Sequence, residues 1–469
     1  MRNFYQNFQA KGKDTLLHRN LRLCTEEGLF ATPFVLISLP GNIFTAALLT
    51  QILSVENFVY SLIVSLPAWA NALQVIILPF LSKKFSSRQL MLWTTGLTVS
   101  MWSLFIYELP RIAEIAGPEK TKLLLVLFIF ISAFQSVAGV SWVSWIGEWI
   151  PGRIRGKYFG RRNAILGLSS IIYLLVCRSV LNKYGDDIFA FQLLFGISVL
   201  LRFMSLYLLT HIYTPWSSPE RGLYGSKFKI LIKDKPFMHF MTFAAAAAFG
   251  LSLTGAFAPV YMTEFLDFPV AQQTVLLILA TFTGAMGLPL WGKLSDHYGC
   301  RAVIALSLLL WIGPNYIWMI LTPETNFILY ALWIWGGIMS GGATLGLFTL
   351  LLKLTPDEAK SSAVSIHLAA TSIAAATAPL VAGLIISKSS SLGFPAVGYK
   401  ILFFLHPTII LIAIPLLLRI EEPKSRNLSI LLGGFRTIRN IMAQNGFTLL
   451  VNLNLFKKLQ QKKRKEDDQ

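Results

Sequence analysis

Residues 274–321 read TVLLILATFTGAMGLPL, then WGKLSDHYGCR, then AVIALSLLLWIGPNYIWMIL. Two almost uncharged runs flank eleven residues that carry Lys293, Asp296 and Arg301, with Gly292 and Gly299 beside them. Each flank is close to the roughly 20 residues a helix needs to cross about 30 Å of hydrocarbon. Charge cannot be left inside such a segment at low cost, so it collects where the chain turns back in water. Glycine supplies the backbone angles that a tight reversal demands. The stretch therefore predicts two membrane-crossing helices joined by a short polar turn.

The same pattern fills the chain. Of 469 residues 54% are hydrophobic and 14% charged, and mean hydropathy is +0.60. A soluble protein of this size would carry about 25% charged residues. The sequence predicts an all-α membrane protein with twelve transmembrane helices, at about 28–53, 58–81, 89–109, 123–147, 163–182, 188–212, 237–262, 272–292, 302–322, 327–352, 361–387 and 398–419. The longest polar interruption, 213–236, falls after the sixth. The expected organisation is an N-terminal segment 1–27, a six-helix bundle 28–212, a central loop 213–236, a second six-helix bundle 237–419 and a basic tail 420–469.

The net charge of +18 invites a nucleic-acid reading, but its placement follows membrane topology instead. With the N-terminus inside, inner segments hold 33 Lys and Arg, outer loops six, and Arg178 and Arg202 lie within spans. That bias predicts cytoplasmic termini at both ends. Cys24, Cys177 and Cys300 lack paired spacing, so no disulfide framework or zinc site is expected. The first apolar run is too long for a cleavable leader. In the tail, Leu428, Leu431, Leu432, Phe435 and Ile438 keep helical spacing, and KKRK follows at 462–465. Two readings stay open there: an interfacial helix touching anionic lipid, or a solvated basic tail.

The opening stretch has an echo. Leu294 to Arg301 aligns with Leu81 to Arg88 at an offset of 213, and both follow a proline, Pro289 or Pro79. Ile150 to Gly156 aligns with Thr355 to Ser361 at an offset of 205. Two matches in register with the span count indicate a duplicated six-span unit. At this point the chain resembles the major facilitator superfamily. That family carries a G-x-x-x-D-(R/K)-x-G-(R/K)-(R/K) loop between spans two and three, often echoed between eight and nine. Gly292, Asp296, Gly299 and Arg301 match the echo, whereas His297 and Cys300 depart from it. The first copy is degenerate, with Lys83 where Asp is expected. PGRIRGKYFGRRN at 151–163 also resembles the loop before span five in bacterial members.

The resemblance implies that the halves rock about a central pocket. It also implies that Asp296 meets the start of span five, near Arg155, Gly156, Arg161 and Arg162. A carboxylate at a helix N-terminus is worth about 0.3–2 kcal/mol, comparable to the gap between two conformers. The stretch is thus expected to be half of a cytoplasmic latch, closed when the pocket faces outward. An inverted counterpart would pair Lys83 or Lys84 with Asp357 or Glu358. The plainer alternative is a set of topology charges on solvated loops.

By the same resemblance spans one, four, seven and ten line the pocket. Candidate substrate contacts are Ser38, Asn42 and Thr45 in span one, Gln135, Trp142 and Trp145 in span four, Ser252 and Thr254 in span seven, and Trp335 in span ten. Hydrogen-bonding groups among aromatic walls suit a small amphipathic solute or a sugar. Against this stand duller roles: Trp145 in the interfacial aromatic belt, and Asn42 and Gln135 as interhelical glue. Asn71 and Gln74 read as packing, and Arg202, in a peripheral span, as snorkelling or bracing a loop.

No Asp or Glu falls at mid-depth, so a proton relay has only Glu27 and His367 as stand-ins; coupling to Na+ or uniport fits equally. No phosphate loop or hydrolase pattern occurs, and neither enzyme activity nor a cofactor is expected. The sequence points to a secondary or facilitative transporter of a small organic solute, monomeric and in a bacterial inner membrane. A non-transporting sensor or scaffold of the same fold is the alternative.

Overall fold

Span one does not cross as a single rod. Its first helix, Lys13–Ser38, stops at Leu39-Pro40-Gly41, and Ile43–Ala47 restarts it at a bend of 41°. Gly41 takes φ +89, a conformation that a side chain would strain. Asn42 then caps the restart: Oδ1 accepts from the backbone N–H of Phe44 (2.8 Å) and Thr45 (3.0 Å), and Nδ2 donates to the Leu36 carbonyl (3.0 Å). Inside hydrocarbon a broken helix survives only if its freed backbone groups find such partners. The computed structural model describes residues 13–213, 228–356 and 359–422.

The remaining spans are two (Asn57–Leu81), three (Ser87–Glu114), four (Gly117–Trp149), five (Gly152–Tyr184) and six (Ile188–Thr210). In the second half come seven (Lys235–Gly255 with Phe257–Phe265), eight (Val270–Tyr298), nine (Cys300–Ile312 with Gly313–Met319), ten (Ile328–Leu354), eleven (Lys360–Ser391) and twelve (Pro395–Leu418). All twelve expected spans are present as helices. Several overshoot: span one starts at Lys13 and span five at Gly152, so helix continues past the apolar runs. Within the central loop, Phe228–Lys233 forms a short helix against spans seven and eleven. The tail beyond Glu422 and the pair Asp357 and Glu358 lie outside the described residues.

The helices form two six-helix bundles with matching internal contacts. Spans one and six, two and four, and three and four pack in the first; seven and twelve, eight and ten, and nine and ten pack in the second. Span two meets span eleven, and span five meets span eight, across the halves. Both halves break their first helix, at 39–42 and at Ala256. The turns aligned by sequence also correspond in detail. Arg88 Nη2 donates to the Thr210 carbonyl at the end of span six (2.7 Å). Arg301 Nη1 donates to the carbonyls of Leu418 and Ile420 at the end of span twelve. Each arginine thus satisfies orphan carbonyls of the sixth helix in its own half.

An even number of spans puts both ends of this unit on one face, here termed the tail face; the opposite face is the far face. At the far face the halves are sealed. The Tyr60 hydroxyl donates to the Ala256 carbonyl (2.8 Å), and its ring meets Phe257 edge-on at 5.5 Å. Phe44, Tyr60, Phe257 and Tyr261 are buried in one apolar cluster shared by both bundles. Gly383 of span eleven lets Ser61 and Asn57 of span two approach its backbone; a Cβ there would collide with Ser61.

Candidate functional site

Below that seal lies a cavity of about 920 Å³. Its wall runs from Leu39 and Pro67, at mid-span, to Glu27, Leu78 and Pro79 toward the tail face. Most of the wall belongs to the first half; span eleven adds Val364, Ser365 and Leu368. Among the described residues, three charged side chains line it: Glu27, Arg162 and Arg202.

These three form one buried cluster. Arg162 Nη2 lies 3.3 Å from Glu27 Oε2, and Arg202 Nη1 lies 3.2 Å from Oε1. Ser205 adds a hydrogen bond to Oε1 at 3.0 Å and accepts one from Arg202 Nη1 at 2.9 Å. Arg162 Nε donates to the Cys24 carbonyl at 3.1 Å, and its guanidinium sits 4.9 Å from the Trp142 ring centroid. The side chains of Glu27, Arg162 and Arg202 are 2%, 8% and 11% exposed. Gly28 makes the approach of span five feasible, because a Cβ there would run into the Arg162 guanidinium. Desolvating three charges costs several kcal/mol per ion, which only close pairing offsets.

A neutral polar strip continues above the cluster. Ser136 Oγ donates to Gln74 Oε1 (2.6 Å), Gln74 Nε2 lies 3.4 Å from Asn71 Oδ1, and Gln135 Nε2 donates to Ser38 Oγ (3.2 Å). Asn71, Gln74, Gln135 and Ser136 all line the cavity. The packing role expected for Asn71 and Gln74 therefore omits their place on its wall.

Of the nine expected contacts, Gln135 and Trp142 line this cavity, and Ser38 reaches it through Gln135. The others do not. Asn42 has committed its side chain to the helix restart, and buried Thr45 donates to the Leu39 carbonyl at 2.7 Å. Trp145 is fully enclosed among Cys24, Met91, Ile150 and Leu209 rather than in an interfacial belt. Trp335 points outward and donates to the Leu310 carbonyl of span nine (2.6 Å). Ser252 and Thr254 lie away from the cavity wall, Thr254 buried just before the span-seven break. The sequence shows residue type and facing but not which hydroxyls the backbone claims first.

Sequence reasoning undervalued the charged cluster. Arg162 was expected at the latch and is instead tied to span one; Arg202 was expected at the periphery and reaches inward to Glu27. The available signal was Arg202 itself, a full charge inside a span, where insertion costs about 2.5–3.5 kcal/mol at mid-membrane. Such a residue needs a partner, and Glu27 is an acid facing it.

The turn that opens the sequence behaves in part as its composition suggests. Gly299 makes the reversal at φ +91, while Gly292 lies within span eight. Asp296 is exposed and has no hydrogen-bond or ion-pair partner among the described residues. Gly156 and Arg161 are exposed at the start of span five. Arg155 caps its own half, donating to the carbonyls of Gly147 (2.7 Å) and Ile150 (2.9 Å). Lys83 and Lys84 are exposed, Lys83 lying over Phe80 at 5.4 Å. The start of span nine is capped by Glu422, which accepts from the N–H of Cys300 (3.0 Å) and Arg301 (2.9 Å). Lys353 Nζ sits 2.9 Å from the same carboxylate.

The Major Facilitator Superfamily model matches residues 30–272 and 240–456, nearly the whole chain. The chain belongs to this superfamily. Among solved structures it is similar to the nucleoside transporter NupG, at TM-score 0.61 and 13% identity over 87% of this chain and 100% of that one. A D-xylose-proton symporter gives TM-score 0.64 and 13% identity over 88% and 99%. A bacterial homologue of the human lysosomal transporter Spinster, inward-facing and occupied, gives 0.60 and 15% over 86% and 96%. Comparison with curated proteins gives no sequence match. The superfamily member described here is an integral membrane protein of the solute-transporter class.

Proposed function

We propose that the protein moves a small organic solute by alternating access and that the 920 Å³ cavity is the substrate site in a tail-facing state. One observation carries this reading. The cavity reaches toward the tail face between elements of both halves, while the far face is closed across the halves by Tyr60, Ala256 and Phe257. Rocking of the 28–212 unit against 237–419, with 213–236 as the connection, would exchange the two closures. Gln135, Gln74, Asn71 and Trp142 are the neutral contacts proposed for the solute.

The latch belongs to the same cycle. Exposed Asp296 supports a contact that is released while the cavity faces the tail side and re-forms with Gly156 and Arg161 when that side closes. Gly292 and Gly299 shape its turn; Lys83 and Lys84 would meet Asp357 and Glu358 in the inverted copy. The 33-to-6 bias of basic residues supports a cytoplasmic tail face. The protein is proposed to act as a monomer in a plasma membrane, a bacterial inner membrane by its span-five loop, with the basic tail on anionic lipid and a proton or Na+ as coupling ion.

Single-cysteine labelling tests the reading. The three native cysteines are buried, so a cysteine replacing Ser144 on the cavity wall reports access cleanly. It should react with a charged reagent from the tail side, and Asp296→Asn should raise that reactivity. An unchanged rate would remove the latch. Ligand that protects the site in detergent without crossing a reconstituted bilayer would favour a sensor.

A further inference from the structure

Among the described residues, the charged lining of the cavity is two guanidiniums and one carboxylate. Its charged lining is therefore net cationic, and the imbalance has a location. Glu27 is shared by both arginines, and Arg162 spends Nη2 on Glu27 and Nε on the Cys24 carbonyl. Arg202 is less occupied. Only its Nη1 is hydrogen-bonded among the described residues, to Glu27 and Ser205, and its buried Nε donates to nothing. That leaves the side-on edge of Arg202, Nε with Nη2, without an acceptor. A guanidinium edge of this kind matches two oxygens of a carboxylate or phosphoryl group.

We propose that the solute is an organic anion whose oxygens take the free edge of Arg202, with Arg162 as the second cation and Glu27 as the built-in counter-ion that holds the pair when no solute is bound. This rests on the cavity being the transport site. The neutral strip of Gln74, Gln135 and Ser136 would then receive the body of the solute, and Trp142 its apolar part. Glu27 sets the affinity by competing for the same guanidiniums. Removing its charge should strengthen anion binding, whereas removing Arg202 should weaken it. A purely structural ion cluster predicts loss in both cases.

The test is thermal stabilisation of the purified protein at fixed ionic strength by benzoate, succinate and glucose 6-phosphate, each beside its uncharged counterpart, benzamide, succinamide or glucose. At least one anion should stabilise the wild type where its counterpart does not. Arg202→Gln should weaken that binding by about tenfold or more, the loss of a charge-assisted hydrogen bond. Arg202→Lys, which keeps the charge and loses the fork, should fall between. Glu27→Gln keeps an oxygen to accept from Arg202 and Ser205 and should bind more tightly than the wild type. Equal stabilisation by the uncharged partners, equal responses of wild type and Arg202→Gln, weaker binding by Glu27→Gln, or no anion-selective response in the panel would each overturn the proposal. Uptake into proteoliposomes separates the two readings. An anion bound with this variant pattern but not carried leaves the anion site standing and removes transport. A neutral solute carried equally by wild type and Arg202→Gln does the reverse.

Discussion

The two halves share a fold but not a use. At the offset of 213 that aligns the turns, Glu27 corresponds to Phe240; at the offset of 205 that aligns the span-five and span-eleven entries, Arg162 corresponds to His367. The first pair is an ion pair at 3.3 Å on the cavity wall. The second is a ring stack, centroids 5.9 Å apart and 17° from parallel. The same helix crossing thus holds a salt bridge in one copy and an aromatic contact in the other. Duplication fixes where two helices meet, and packing tolerates several chemistries there. Only the copy that faces the cavity with unmatched charge has a reason to bear the desolvation cost.

The largest test of this contrast is Glu27→Leu, which leaves Arg162 and Arg202 without their carboxylate. Breaking a buried pair costs about 3–5 kcal/mol. Thermal unfolding in detergent should show a loss of that order, and His367→Leu should cost clearly less. A similar loss for both would mean that the charges contribute nothing beyond packing.

The arginines of the two turns are the shared feature, and they should behave alike. Arg88→Met and Arg301→Met each remove a charged donor from the end of the sixth helix of a half, worth about 1.5–3 kcal/mol. Matching losses would sharpen the symmetry; a loss in one half only would break it.

Tyr60→Phe removes one hydrogen bond across the far-face seal, worth about 1 kcal/mol. The cost should appear as a several-fold shift toward far-side labelling of the cavity rather than as reduced expression. Unshifted labelling would mean that the apolar cluster alone closes that face.

The smallest effect concerns pH and is confined to the second half. Burial pushes the Glu422 carboxyl up, but the N–H groups of Arg301 and Cys300 and the Lys353 ammonium outweigh it, and the carboxyl is held below its ordinary 4.5. A carboxyl lowered by folding stabilises fully above its unfolded value, and the contribution is lost as pH falls through the lowered one. Glu422→Gln should therefore reduce stability at neutral pH and flatten the acid limb below about pH 4.5, where wild type and variant converge. Parallel curves at all pH values would show that the carboxylate charge does not contribute to the cap.

The site was less legible than the fold. Gln135 and Trp142 were readable because polar and aromatic residues in an apolar helix stand out. Asn42 misled because an amide near Pro40-Gly41 serves a helix break as readily as a ligand, and capping is the nearer partner. Arg202 was discounted because its span is peripheral, yet an arginine side chain is long enough to reach Glu27 from there.

By itself the sequence determined that twelve apolar helices cross the membrane in two related sets, and on which side basic residues collect. The reason is local: hydrocarbon thickness, backbone hydrogen bonding and charge cost act on each segment alone. Only the tertiary structure decided which polar side chains share a cavity, that one carboxylate serves two arginines from different spans, and that the far face is the closed one. Those facts depend on distances between residues as far as 196 positions apart, and no periodicity along the chain encodes them.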